Sequence, residues 1–231
     1  MFDIQKINEQ LACCANPQKE TWSRGIIRTK MPMLVVMAPD INAIAKSIAQ
    51  VDVVPYLEAE TFKYYENTII FAKTLHRVRD FELFKHYLYK LIPIIDNWAT
   101  VDAILWCESA QLQVQSVQDC LFELSKGLLL DERPFARRVG VRILFKYLDS
   151  FNIDKTLALV KTMKSENEYY VNMCLAWLLC ESFVKQREKT LAFLSLDNVS
   201  QFVLQKAVSK CCDSYRVTTI DKGILRDLLN K

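Results

Sequence analysis

The chain has 231 residues, of which 51% are hydrophobic and 25% charged, with a formal net charge of +3. That length and composition suit a large buried core and exclude disordered or collagen-like chains. Its 4 Gly and 6 Pro, where average usage gives roughly 28, exclude a many-turned β-sandwich or barrel and a glycine-rich phosphate loop.

No apolar run is long enough to span a bilayer. The polar residues Asp3, Gln5, Lys6, Asn8 and Glu9 at the start carry no secretory signal. The expectation is a soluble, cytoplasmic protein with no membrane partner. Spacing of three and four residues between apolar positions then recurs along the chain, which predicts helices. Over 62–75, Phe62, Tyr65, Ile69, Ala72 and Leu75 fall on one helical face. A helix over 97–110 follows, and over 117–128 Val117, Cys120, Leu121, Leu124 and Leu128 form the next stripe. Helices over 133–149 and 168–185 come after, the latter with Tyr170, Met173, Cys174, Trp177, Leu178 and Glu181 in line. Asp154, Asp197 and Thr219 stand where N-caps are expected. About twelve helices of roughly 8–18 residues with no linker predict one all-α domain over 1–231.

None of the eight cysteines makes a CxxC spacing. Cys13-Cys14 and Cys211-Cys212 are adjacent pairs, and Cys107, Cys120, Cys174 and Cys180 fall within apolar helical patterns. All are expected to be reduced thiols, mostly in the core. His76 and His86 lie among charged residues without clustered Cys, Asp or Glu, so no metal and no cofactor is expected. Residues 51–130 carry 7 Lys/Arg against 11 Asp/Glu, while 131–231 carry 17 against 12. A basic half beside an acidic one is compatible with nucleic-acid contact, although a solvated face gives the same bias.

Trp98, Arg138 and Trp177 are 40 and 39 residues apart, and Asp102 and Arg142 again 40. A period near 40 points to degenerate HEAT-like repeats, an α-solenoid with a concave groove in a single C-shaped domain. Equivalent positions of successive repeats face one side, so these five side chains are expected on one concave surface. Trp98 and Asp102 are four residues apart, hence on one helical face. Arg137, Arg138 and Arg142 make a basic cluster in an otherwise apolar helix. Each of these groups on its own reads more readily as core packing or a solvated stripe.

Together they have a likeness. Trp98-x-x-x-Asp102, Pro134-Phe135-Ala136-Arg137-Arg138 with Ile143-Leu144-Phe145-Lys146-Tyr147, and Tyr170-Val171-Asn172 through Ala176-Trp177 resemble the AlkD-like DNA alkylation repair family. Gly25-Ile26-Ile27-Arg28-Thr29-Lys30-Met31-Pro32 and Lys206-Ala207 to Ser214-Tyr215 extend the resemblance over nearly the whole chain. It implies a DNA glycosylase acting on purines alkylated at a ring nitrogen, 3-methyladenine or 7-methylguanine, with the base left stacked and no deep base pocket. Asp102 would stabilise an oxocarbenium sugar and position water. Trp98 and Trp177 would face the deoxyribose. Arg138, with Arg137 and Arg142, would hold DNA phosphates.

Two departures accompany the likeness. Only Gln18 to Arg24 separate Pro17 from Gly25, which leaves no room for a minor-groove helix once connections are made. Val35 and Val36 stand where relatives often carry basic residues. The chain therefore resembles a shortened branch that keeps the Trp/Asp/Arg face, binds double-stranded DNA weakly as a monomer, and excises little or no base. An active glycosylase and a protein-interaction scaffold are the alternatives.

Overall fold

The computed structural model describes residues 3–104 and 114–230, and every regular element among them is helical. The fourteen described α-helices run from 6 to 17 residues. They divide into two compact units, Met1–Gln118 and Asp119–Lys231.

The first unit holds α1 (Ile4–Cys13), α2 (Glu20–Ile27), α3 (Ala38–Ile48), α4 (Val54–Ala59), α5 (Tyr65–Thr74), α6 (Phe81–Leu91) and α7 (Trp98–Ala103). Helix α5 packs between α3 and α7 and is buried on almost every side, including at Glu66, Asn67 and Thr68. Phe71, fully buried, sits at the centre of an aromatic cluster with Phe62 and Tyr87 edge-on at 5.0 and 6.5 Å. Of the stripe expected over 62–75, Tyr65, Ile69, Ala72 and Leu75 are buried. Phe62 lies before the helix at φ 57°.

Helix α8 (Gln115–Leu129) carries the division within its first turn. The second unit continues with α9 (Pro134–Leu144), α10 (Ile153–Thr162), α11 (Tyr169–Lys185), α12 (Arg187–Leu194), α13 (Gln201–Asp213) and α14 (Thr219–Asp227). Here α11 packs between α9 and α13, and α10 packs on α12. In both units alternate helices lie side by side, the arrangement of stacked helical pairs in HEAT-like repeats. Helices α8 and α9 meet at Gly140 of α9, where Ser125 Oγ of α8 donates to the Gly140 carbonyl at 2.9 Å.

Several boundaries differ from the sequence reading. The segment expected to connect elements after Pro17 instead forms a 3-10 turn, Pro17–Lys19, and helix α2, which runs through Gly25. The connection is made further on, by residues 28–37, with Arg28 closing α2 at φ 58°. Arg24 ties that turn together, donating to the Thr29 and Met31 carbonyls at 3.4 and 3.2 Å. The helix expected over 133–149 stops at Leu144, and what lies past 104 in the one expected over 97–110 is outside the described residues.

The N-caps also shift. Asn152, Ser200 and Thr218 occupy those positions. Asp154 belongs to the first turn of α10, Asp197 precedes α13 by a loop, and Thr219 is the first residue of α14. Of the cysteines, Cys174, Cys180 and Cys211 are buried, whereas Cys13 and Cys120 are exposed. Cys120 stands one residue off the buried line Leu121, Leu124 and Leu128 of α8. Cys107 lies outside the described residues.

Candidate functional site

Asn97 decides where α7 begins. Its side-chain oxygen accepts from Thr100 N at 2.9 Å, capping the helix and placing Trp98 at its first position. Thr100 and Val101 turn fully inward, which leaves Trp98 and Asp102, one turn apart, half-buried on the other side. The Trp98 indole N–H donates to the Ile26 carbonyl of α2 at 3.1 Å. The two residues line a cavity of about 490 Å³ whose remaining wall includes Trp22 and Ile26 of α2 and Val35, Val36 and Met37 of the connection. The helix made by residues 20–27 thus supplies one wall of an open recess beside Trp98 and Asp102.

The apolar character of 33–37 has the same cause. Val35 and Val36 are buried against this cavity. Val35 stands at φ 60°, a costly conformation for a β-branched residue. Buried Glu66 holds it there: its Oε1 accepts from Leu34, Val35 and Val36 N at 3.1, 2.7 and 3.3 Å.

In the second unit, Trp177 lies on the only line of half-buried residues along α11, with Tyr170, Met173, Glu181 and Val184. The stripe read as one apolar face is therefore mixed, since Cys174 and Leu178 belong to the core. Trp177 is held from two sides. Arg142 stacks on its ring at 4.6 Å, and Phe145 meets it edge-on at 4.8 Å, while Glu181 lies one turn further along α11. Arg216 in turn grips Glu181 with both guanidinium nitrogens, at 3.0 and 2.5 Å, and holds its carboxyl below the usual range.

The three arginines expected on phosphates all have partners inside the protein. Arg137 makes a two-pronged ion pair with half-buried Glu166 at 2.6 and 3.1 Å and donates to the Asp131 and Glu132 carbonyls. Arg138 is 5% exposed and donates to the Tyr170 carbonyl at 2.5 Å. Arg142 lies between the Phe145 and Trp177 rings. Trp98 and Asp102 thus belong to the first unit, and Arg137, Arg138, Arg142 and Trp177 to the second.

Alternate helices packed side by side in each unit suit the HEAT-like architecture that the resemblance implies, and comparison decides the family. A model of the family described as DNA alkylation repair enzyme matches residues 7–211. The chain belongs to that family. No curated protein sequence matches it. The family match spans α1 through most of α13, so it covers both Trp/Asp and Arg/Trp groups. Among the described residues no group of three or more His, Cys, Asp or Glu could hold a metal ion. None of their helices is long and apolar enough to cross a membrane.

Four contributors escaped the sequence reading. Trp22 and Ile26 left a signal, an i, i+4 apolar pair in an otherwise polar stretch. Glu66 left none, standing between Tyr65 and the polar pair Asn67-Thr68. Arg216 left none, because its partner Glu181 is 35 residues away.

Proposed function

We propose that this member of the DNA alkylation repair enzyme family binds duplex DNA weakly and presents Trp98 and Asp102 to the deoxyribose of nucleotides bearing a cationic N-alkylated purine, with little or no excision. The observation that supports weak binding and slow chemistry is the commitment of Arg137, Arg138 and Arg142 to partners within the protein. Each phosphate contact forgone lowers affinity by reducing counterion release. Arg142 also covers one face of Trp177. A fixed guanidinium already satisfies that ring's attraction for positive charge and opposes a second cation, the developing sugar, beside it.

In this reading Asp102 stabilises the sugar electrostatically and orients water, and Trp98 supplies an aromatic surface. Release of 7-methylguanine from alkylated duplex by the purified protein tests it. Little release, and duplex binding that falls steeply with salt, is the expected result. Robust release abolished by Asp102→Asn would instead establish the active glycosylase. That second reading is favoured by the helix α2, which stands beside Trp98 where the sequence left no room for one. Absence of duplex binding even at low salt would favour the interaction scaffold.

A further inference from the structure

A second recess in the first unit, about 360 Å³, lies between the C-terminal ends of α3 and α5 and is lined by Asn42, Lys46, Gln50, Lys73, His76 and Arg77 with two alanines. Every polar side chain in that lining can donate a hydrogen bond, and none is acidic. Lys46, Lys73 and Arg77 form no ion pair among the described residues. We propose that this recess is a phosphate-binding site, taking the phosphodiester of a nucleic-acid strand or the phosphate of a free ester.

The plainer explanation, that Lys46 and Lys73 merely complement helix ends, falls short in magnitude. The C-terminus of a helix carries about half a negative charge, so two ends account for roughly one of the three permanent cations. About two positive charges remain in a concave, donor-lined recess, which is how anions are concentrated. His76 adds direction: its Nδ1 lies 2.7 Å from the Lys73 carbonyl, which can only accept, so Nδ1 carries the proton, the ring is fixed against α5, and Nε2 is left as the nitrogen that donates to an anion when the ring is doubly protonated. Amides at Asn42 and Gln50 supply neutral donors to the remaining oxygens.

Position gives the recess its meaning. Lys73 lines both this recess and the cavity of Trp98 and Asp102. A phosphate held here is therefore next to the place where a nucleotide's sugar would sit. Only the assignment to a nucleic-acid strand rests on the duplex-binding reading; the anion chemistry stands without it.

The test uses the whole chain and inorganic phosphate first. The chain has two histidines, so the ring nitrogen signals of His76 are readily told from those of His86 by NMR. Inorganic phosphate is expected to shift His76 saturably and leave His86 in place. The exposed pair Lys46→Gln/Arg77→Gln should weaken that titration roughly ten-fold, as loss of charge-assisted donors does, with an unchanged thermal melt. No saturable shift, or equal titration by the double variant, overturns the site. A duplex oligonucleotide then distinguishes the sources. A salt dependence reduced by about two in the variant assigns the phosphodiester, and an unchanged one with phosphate still bound assigns free esters. Wild-type protein that binds phosphate but no duplex keeps the site and removes the duplex reading alone.

Discussion

At the scale of single residues, two glycines in helices separate space from conformation. Neither has positive φ, so a methyl group is judged only by what it meets. At Gly25 a Cβ meets nothing within 4 Å, and Gly25→Ala is expected to stabilise α2 by about 0.5–1 kcal/mol by restricting the unfolded chain. At Gly140 it would lie 3.1 Å from Leu129 N, Leu129 Cδ2 and Ser125 O. Two of those atoms are backbone and cannot step aside, so Gly140→Ala should cost about 1–3 kcal/mol. Denaturant unfolding of the two variants should move the midpoint in opposite directions. Glu66 is a third case. Glu66→Ala removes the acceptor of three N–H groups at a strained turn, each worth about 1–3 kcal/mol when left unpaired. A loss of about 3 kcal/mol is expected by the same measurement, with the Trp98 cavity disturbed.

At the scale of elements, α2 shows how helices follow from local sequence and where that inference stops. Periodicity identified α5, α8 and α11 because their stripes are long. It missed α2, whose eight residues carry only Trp22, Ile26 and Ile27 as large apolar landmarks and which lacks a side-chain N-cap. The caps at 154, 197 and 219 were misplaced for a related reason: Asp, Ser and Thr cluster at helix starts, and only the backbone conformation says which one is the cap. Trp98 and Asp102 were legible as a pair since four residues in a helix share a face. Their pocket was not, because its other wall lies 72 residues away from Trp98 at Ile26. That link is testable. Trp98→Phe keeps an aromatic ring, though a smaller one, and deletes the N–H donated to Ile26, a loss of about 1 kcal/mol. Amide exchange in α2 should quicken several-fold while the exchange of α11 stays as it was. Unchanged exchange in α2 would mean that Arg24 and the turn at Arg28 hold the helix without Trp98.

At the scale of the whole molecule, the second unit holds a set of carboxylates in ion pairs and hydrogen bonds. Asp131, Asp149, Glu166, Glu181 and Asp221 are all held below their usual range, and all five lie in the second unit. Hydrogen bonds from Arg133 bring Asp131 to about 2. At Glu166 burial acts in the opposite direction, but the Arg137 guanidinium and the N–H groups of Asn167 and Glu168 outweigh it. A carboxyl depressed in the folded state binds its proton more readily when unfolded. It therefore contributes stability above its unfolded pKa, and that contribution disappears as pH falls through the folded value. Most of these pairs are partly exposed and so weak one by one, but they act in the same direction. Trp177 is the only tryptophan after residue 118, so a variant with Trp22, Trp98 and Trp106 changed to Phe reports on the second unit alone. Its urea midpoint should hold steady from neutral pH to about 5 and then fall toward pH 3. Glu166→Gln should start lower at neutral pH and fall less, since Gln has no proton to gain while the Arg137 pairing is lost from the outset. A midpoint in the parent that stays level down to pH 3 would show that these carboxylates find equivalent partners in the unfolded chain.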